Sequence, residues 1–573
     1  MAITAVVVSA TLNTTGDTAF TSSGFGTPDA AIILLGRGGT ANNPQVHATF
    51  TGGFWCSDPG QAGITFCSED AQVTTDTRRY GDSTYAGHIA SPTTDSVVIS
   101  YSASATTDGI NLSVAAGSTT LNRYASVILL KGLTNAHVGS VSLGTGTSAI
   151  NVTAPGFRAD LVLLLSTWAA NATVTAAARG SFGAAQISAG GTVAQGCISY
   201  ESTDNAAAST ARTIVLNDKA LARITSGALA VECAIGANDN GFSITPSADS
   251  GSQYAYYLAI ECPDPEDAYV GVVDTITGEG DQAYTGAGLT PQALILASTL
   301  ATAVDTVTDS GAFNVGFGGP ATSEWSSVYI DEYNSDPTDT EGYVDTSNIL
   351  HIRSAVGTED TVASLTAFGS DGWTLNYSNG SGAARKMLAI AIGTAASGAQ
   401  TLTPSLVTNT QTFHAATVIR GAVTLTPSLV TNSQTFHAAT VSTGSVTLEP
   451  SLVTNGQTFY APVVSNGGVT LAPSLVTNSQ TFPSPTISVG AVTLTLDVVV
   501  NGQTFYAPTV AQPSGQTLEP TLVTNGQMFY GPTVEGMLLT QADLDAIAAA
   551  VWADPAAVAA HAKLDAIIAR ITC

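Results

Sequence analysis

Leu402-Thr-Pro-Ser-Leu-Val-Thr-Asn-Thr-Gln-Thr-Phe-His-Ala-Ala-Thr-Val418 is followed by near-copies of itself, with the leading Leu returning at 425, 448, 471 and 494, every 23 residues, and then at 518. Within each copy an Asn and a Phe keep their places: Asn409/Phe413, Asn432/Phe436, Asn455/Phe459, Asn478/Phe482, Asn501/Phe505 and Asn525/Phe529. Repetition at this period makes each copy one small structural unit. Short segments of Leu, Val, Thr and Phe flanked by Pro, Asn and Gly read as strands and turns. The pairs Asn455-Gly456, Asn501-Gly502 and Asn525-Gly526 favour the tight turn of a hairpin. Residues 397–536 are therefore expected to form a six-repeat β-hairpin stalk. A two-stranded hairpin of this size buries too little apolar surface to stand alone. Stacking on neighbouring units covers part of it, but closing three chains around an axis would cover the remaining apolar face and pair the edges, so a homotrimer is expected over a monomeric solenoid.

Working outward toward the N-terminus, a longer repeat governs residues 1–396. Phe25, Phe157 and Leu289 lie 132 residues apart, and Phe50, Phe182 and Phe313 nearly so. Apolar runs follow the first landmark in each copy: Ala31-Ile-Ile-Leu-Leu35, Leu161-Val-Leu-Leu-Leu165 and Leu294-Ile-Leu-Ala297. Asp108-Gly109, Asn240-Gly241 and Asp371-Gly372 signal a hairpin late in each copy. Short apolar or alternating segments between turn-forming residues are the pattern of an antiparallel sandwich. The sequence predicts three tandem antiparallel β-sandwich domains over 1–132, 133–264 and 265–396, joined like beads by short polar linkers near Gly132–His137 and Pro263–Asp267. The apolar runs, read as buried on both faces, are placed at the centres of their sheets.

Beyond residue 537 the period changes. Leu539-Thr540-Gln-Ala-Asp543-Leu544 has the form of a helix start, with Thr540 as N-cap and Leu539 against Leu544 as a hydrophobic staple. Asp554-Pro555 reads as a second N-cap. Residues 537–573 are expected to form a short helical segment for trimerisation or docking, because helices of roughly 12–15 residues are marginal alone.

Composition agrees with a mostly β protein. Only 10% of residues are charged, 56 are Gly, and the formal net charge is −27. A nucleic-acid partner needs concentrated Lys and Arg to neutralise phosphates, so none is expected. No run of about 18 apolar residues suits a membrane span, and the first residues lack the basic n-region of a signal peptide. Folding in a cytoplasm is expected. Six cysteines without metal-type spacing, Cys56, Cys67, Cys197, Cys233, Cys262 and Cys573, read as small buried apolar residues.

No catalytic constellation emerges: no phosphate loop, HExxH or G-x-S-x-G is found. Neither a cofactor nor a metal site is expected, and the chain reads as non-enzymatic. The acidic stretch Asp331-Glu332, Asp336, Asp339, Glu341, Asp345 is flanked by Trp325, Tyr329, Tyr333 and Tyr343. Carboxylates beside aromatic rings are how sugar sites are often lined, and also how a sandwich fills its core. Trp325, Tyr329, Asp331, Glu332, Tyr333 and Tyr343 are the candidate ligand contacts.

The L-x-P-S-L-V-T-N-x-Q-T-F-x-A-x-T-V unit resembles repeats in structural proteins of tailed bacteriophages, and Leu539-Thr-Gln-Ala-Asp-Leu-Asp-Ala-Ile-Ala-Ala-Ala-Val-Trp552 is similar to the terminal helix that often follows them. The resemblance covers Leu402 to the end. It implies a virion fibre, spike or tail-associated protein, assembled in the host cytoplasm, whose partners are further copies of itself, other virion proteins and a host-surface glycan or protein. A tail fibre for host attachment is the first functional expectation. A structural head or neck decoration, and a polysaccharide-binding or depolymerising tailspike, are the alternatives.

Overall fold

The computed structural model describes residues 2–395 apart from 14–15, 38–40, 59, 92–95, 118–122, 252 and 321–322, and between 400 and 534 the backbone of the strands. The chain divides into two units, Met1–Ala396 and Ser397–Cys573. The expected helices beyond 537 lie outside the described residues. The described residues are mostly β, and the one helical element among them is a single 3-10 turn, Pro265–Asp267.

The first module of the N-terminal unit has eleven strands: β1 Thr4–Leu12, β2 Asp17–Thr21, β3 Ala30–Arg37, β4 Gln45–Val46, β5 Ala48–Cys56, β6 Gly60–Ser68, β7 Thr77–Asp82, β8 Gly87–Ser91, β9 Ser96–Thr106, β10 Gly109–Gly117 and β11 Arg123–Lys131. A large antiparallel sheet in the order β1-β11-β3-β5-β6-β7 packs on a small one, β2-β10-β9-β8. The same order recurs between Asn135 and Glu261 and between Ala268 and Ala395.

Why β3 is continuously apolar is clear from where its residues go. Ala31, Ile33 and Leu35 enter the interior of their own sandwich, whereas Ala30, Ile32 and Leu34 enter a core shared by all three modules. Alternation along a strand sends successive side chains to opposite faces, and here both faces are cores. Leu161, Leu163 and Leu165 of the second module join the shared core with Ala293, Ile295 and Ala297 of the third. The modules are therefore not beads. Their large sheets carry an apolar outer face that water would not tolerate, and each covers it with the others.

Edges are closed in the same cyclic fashion. β4 of the first module pairs with Thr340–Asp345 of the third. Thr175–Ala176 of the second pairs with β7 of the first, and Thr308 of the third bridges Thr213 of the second. Three backbone bonds repeat the pattern: the amides of Asn42, Ala172 and Asp305 donate to the carbonyls of Val344, Gly81 and Val215 at 2.8, 2.8 and 2.9 Å. Each donor residue is left-handed, with φ of 55, 54 and 58°. The result is a closed ring with approximate three-fold symmetry, made from one chain.

The hairpin signals late in each copy correspond to real hairpins, but their glycines serve another end. Gly109, Gly241 and Gly372 pair with Thr106, Asn238 and Gly369 across two-residue turns, so each is the first residue of the outgoing strand. A Cβ there would lie 2.0, 1.9 and 2.0 Å from the carbonyl oxygens of Phe20, Val152 and Tyr284. Close approach of the neighbouring strand, more than the turn, requires glycine.

In the second unit the strands correct the hairpin expectation. Thr401 pairs with Thr424, Thr424 with Thr447, Thr447 with Thr470 and Thr470 with Thr493, all parallel. Four such ladders of six strands each run through the repeats. Each 23-residue unit is thus one coil of a parallel β-solenoid, in which identical residues stack in register. A hairpin would pair a unit with itself and leave its outer edges open, whereas stacking pairs short strands with the next coil. The one-residue lengthening before Leu518 is absorbed locally: Gly490 pairs with Pro513, but Val492 with Gln516. In-chain stacking pairs the strand edges that closure of three chains was expected to pair.

Candidate functional site

The six candidate ligand residues do not line one groove. Trp325, Tyr329 and Asp331 lie on the strand Glu324–Asp331, which occupies in the third module the place of β6, and all three are fully buried. Tyr329 meets its equivalents Phe66 and Tyr200 at the centre of the ring, with ring centroids 5.1 and 4.9 Å away. Trp325 faces Gly36 of the first module, where a Cβ would come within 3.4 Å of its ring. These are core positions between modules. The sequence signal of aromatics beside carboxylates was the packing one.

Asp331 sits at the middle of this junction in a cage of hydroxyls. Its Oδ2 accepts from Tyr200 at 2.7 Å and from Ser68 at 2.9 Å, and its Oδ1 from Ser209 at 2.6 Å. The Tyr329 hydroxyl lies 2.6 Å from Ser68 Oγ and donates to Tyr200 at 2.9 Å. Burial pushes the Asp331 carboxyl above its ordinary range, against these bonds, which favour the charged form. Ser68, Ser202 and Asp331 are equivalent positions, and the one carboxylate among them, from the third module, gathers hydroxyls contributed by the first and the second.

Glu332 and Tyr333 lie just beyond, in the loop 332–339, half-buried. Burial and then Asp339 raise the Glu332 carboxyl. The Arg212 guanidinium of the second module stands 5.1 Å over the Tyr333 ring and also holds Asp309 at 2.7 Å. The loop meets its equivalents through backbone bonds: Ala71 and Thr338, Asn205 and Thr75, and Asn334 and Ser209 are so joined. Ala71, Asn205 and Asn334 are equivalent and all left-handed, with φ of 59, 56 and 62°.

Tyr343 belongs to a different place, inside the third sandwich. Its ring lies under Arg353 at 4.7 Å and beside His351 at 4.8 Å. His351 Nδ1 is 2.7 Å from Asp345, and Arg353 is paired with Glu341. Burial acts to raise Asp345, but hydrogen bonds from His351, Asn348 and the Ser347 backbone hold it below the usual range. The first module repeats the arrangement: Tyr80 packs edge-on to His88 at 4.8 Å and donates to Asp82 at 2.8 Å. Burial lowers His88 to about 4, so it is a neutral imidazole at pH 7. In the second module these positions are Ile214, Leu216 and Ala222, part of an apolar cluster. One fold fills the same space with a polar network or with aliphatics, which marks Tyr343, Asp345 and His351 as core-filling residues.

The described residues contain no cluster of three metal-ligating side chains. Cys56, Cys67, Cys197, Cys233 and Cys262 are buried and in no disulfide, and burial raises Cys56 to about 11. No described helix is long and apolar enough to cross a membrane. No family model matches the chain, and no curated protein is significantly similar to it.

Proposed function

We propose that the chain is a non-enzymatic structural protein of a tailed-bacteriophage virion, a fibre or spike that mediates attachment to the host surface. The observation that carries the reading is the solenoid of 23-residue coils with identical residues in register. Such a stack grows by repetition, depends on no single side chain, and suits a spacer. Its sequence unit is the one that resembles repeats in phage structural proteins. The ring of three sandwiches supports the same role, since strands exchanged around a closed core make a rigid body on which surface loops can be varied. Host glycan or protein, and other virion proteins, are the partners this role requires.

The test is competition for adsorption. Purified protein, added to host cells before phage, is expected to reduce adsorption, and antibody raised against residues 1–396 is expected to decorate tails. Decoration of heads or necks without competition would replace this reading with the purely structural one. Release of reducing sugar from host polysaccharide would replace it with a depolymerase.

A further inference from the structure

Three arginines of this acidic chain converge where the second module meets the first. Arg79 lies on β7, Arg179 on Ala178–Ile187 and Arg223 on Leu221–Thr225. Arg79 Nη1 donates to the carbonyls of Ala176 and, at 2.7 Å, Ala177, two residues before Arg179. Ala222, next to Arg223, donates its amide to Ser181 Oγ at 3.1 Å, two residues after Arg179. The side chains are close enough to oppose one another's charge: burial first, then Arg179 and Arg223, lower Arg79 to about 9. Burial and then Arg179 lower Arg223.

Their counter-charge is incomplete. Among the described residues, the carboxylate ion-paired with this group is Glu201, whose Oε2 is 3.7 Å from Arg179 Nε, while its Oε1 accepts from the Gly227 amide. Asp249 acts on Arg223 only from a distance. The Nε atoms of Arg79, Arg179 and Arg223 are each buried without a hydrogen-bond partner, and Arg79 is 5% exposed. Arg223 Nη1 donates to Gln253 Oε1 at 2.7 Å and to the Ser250 carbonyl at 3.2 Å, so neutral acceptors take up part of the N–H groups, but three positive charges stand against one ion-paired carboxylate, a costly balance away from water.

The fold itself does not call for them. The ring presents this junction three times, and at the other two the place of Arg79 is taken by Thr213 and Gly342, which pair with Tyr200 and Tyr329 as Arg79 pairs with Phe66. The place of Arg223 is taken by Ile89 and Ile352, both buried. Identical architecture is thus built twice without the charge.

We propose that Arg79, Arg179 and Arg223 form an oxyanion-binding site that takes a phosphate, a sulfate or the carboxylate of an acidic sugar. Guanidinium groups match such oxygens with paired N–H donors, and the Arg179 side chain, 18% exposed, gives the site an opening to solvent. The Trp168 ring, 5.7 Å from Arg223, forms an apolar wall beside it. This inference stands apart from where the protein works.

The test uses the full chain, with inorganic phosphate, sulfate and glucuronate titrated at constant ionic strength and followed by calorimetry and by melting temperature. At least one of the three is expected to bind saturably below about 10 mM, a weak-to-moderate affinity, and to raise the melting temperature. A response to phosphate and sulfate alone assigns a free inorganic ion, and a response to glucuronate assigns an acidic sugar. Arg223→Gln, and the charge-balanced pair Arg179→Gln with Glu201→Gln, are expected to weaken binding about ten-fold or more. Arg79 is kept, because it also holds the exchanged strand. No saturable response to any of the three anions overturns the proposal, as does undiminished binding in both folded variants.

Discussion

Tyr200 of the second module donates a 2.7 Å hydrogen bond to Asp331 of the third, across a junction where the equivalent residue of the first module, Phe66, has no hydroxyl to give. The three modules are alike in backbone and unlike at their meeting point. Only one order of modules presents Ser68, Tyr200 and Ser209 to a single carboxylate. A polar group with partners in one arrangement alone specifies that arrangement.

Asp331→Ala should therefore destabilise the ring by about 1–3 kcal/mol, the usual cost of leaving buried hydroxyls unpaired. Asp331→Asn, which keeps an acceptor, should cost less. The pH dependence separates them from a simple packing defect. Because the folded carboxyl titrates above its unfolded value, the folded state holds the proton more tightly. Its stabilising share is present below the unfolded value and is lost as pH rises through the folded one. Asp331→Asn should flatten the decline of melting temperature with rising pH; an unchanged slope would show that Asp331 does not titrate in this way.

Gly180→Ala should destabilise by about 1–3 kcal/mol, since an added Cβ would lie 2.1 Å from the Phe66 ring in the shared core. Gly146→Ala, where nothing lies within 4 Å, should leave the melting midpoint nearly unchanged. Equal effects of the two on urea denaturation would contradict the shared core.

Ala71→Asn should stabilise. Ala71 holds φ near 59° while the two equivalent positions are Asn205 and Asn334, the residue type that tolerates this conformation best after glycine. The left-handed cost for an ordinary residue is roughly 1–2 kcal/mol, so a gain of up to about 1 kcal/mol is expected by thermal melting. A loss would mean that the Ala71 backbone bond to Thr338 depends on the methyl group.

Removing one whole period, residues 423–445, should leave the β-signal per coil in circular dichroism intact, because Thr401 can then pair with Thr447 as it did with Thr424. Removing about half a period should abolish it, since unlike residues would then face one another along all four ladders.

Much of this was legible in the sequence. The 132-residue and 23-residue periods, the apolar runs and the late hairpins all correspond to structure, because periodic burial leaves a periodic pattern. What could not be read was the partner of each apolar face. Ile32 and Ile33 look alike in sequence, yet one enters the shared core and the other its own sandwich. Phe182 looked like the counterpart of Phe50, but Gly180 occupies that place, and Phe66 fills the room its missing side chain leaves. Asn-Gly pairs in the short repeats pointed to hairpins because turn chemistry is local, whereas the choice of in-register stacking is made by the next coil. Trp325, Tyr329 and Asp331 turned out to face the core for the same reason: an aromatic beside a carboxylate does not say which side faces water. Arg79, Arg179 and Arg223 carried no motif, being brought together only by the ring.

The exchange of strands around the ring also sets a timetable. Asn42 finds its partner carbonyl on Val344, and Val46 pairs with Glu341, so a segment made early must wait for one made some 300 residues later. At about 5–20 residues per second on the ribosome, that wait is roughly 15–60 s. Throughout it, the first module carries an outer sheet face rich in Ile and Leu with nothing yet to cover it. The nascent chain is most prone to aggregation then, and its yield in a foreign host should depend more on chaperones and translation rate than on the stability of the finished ring.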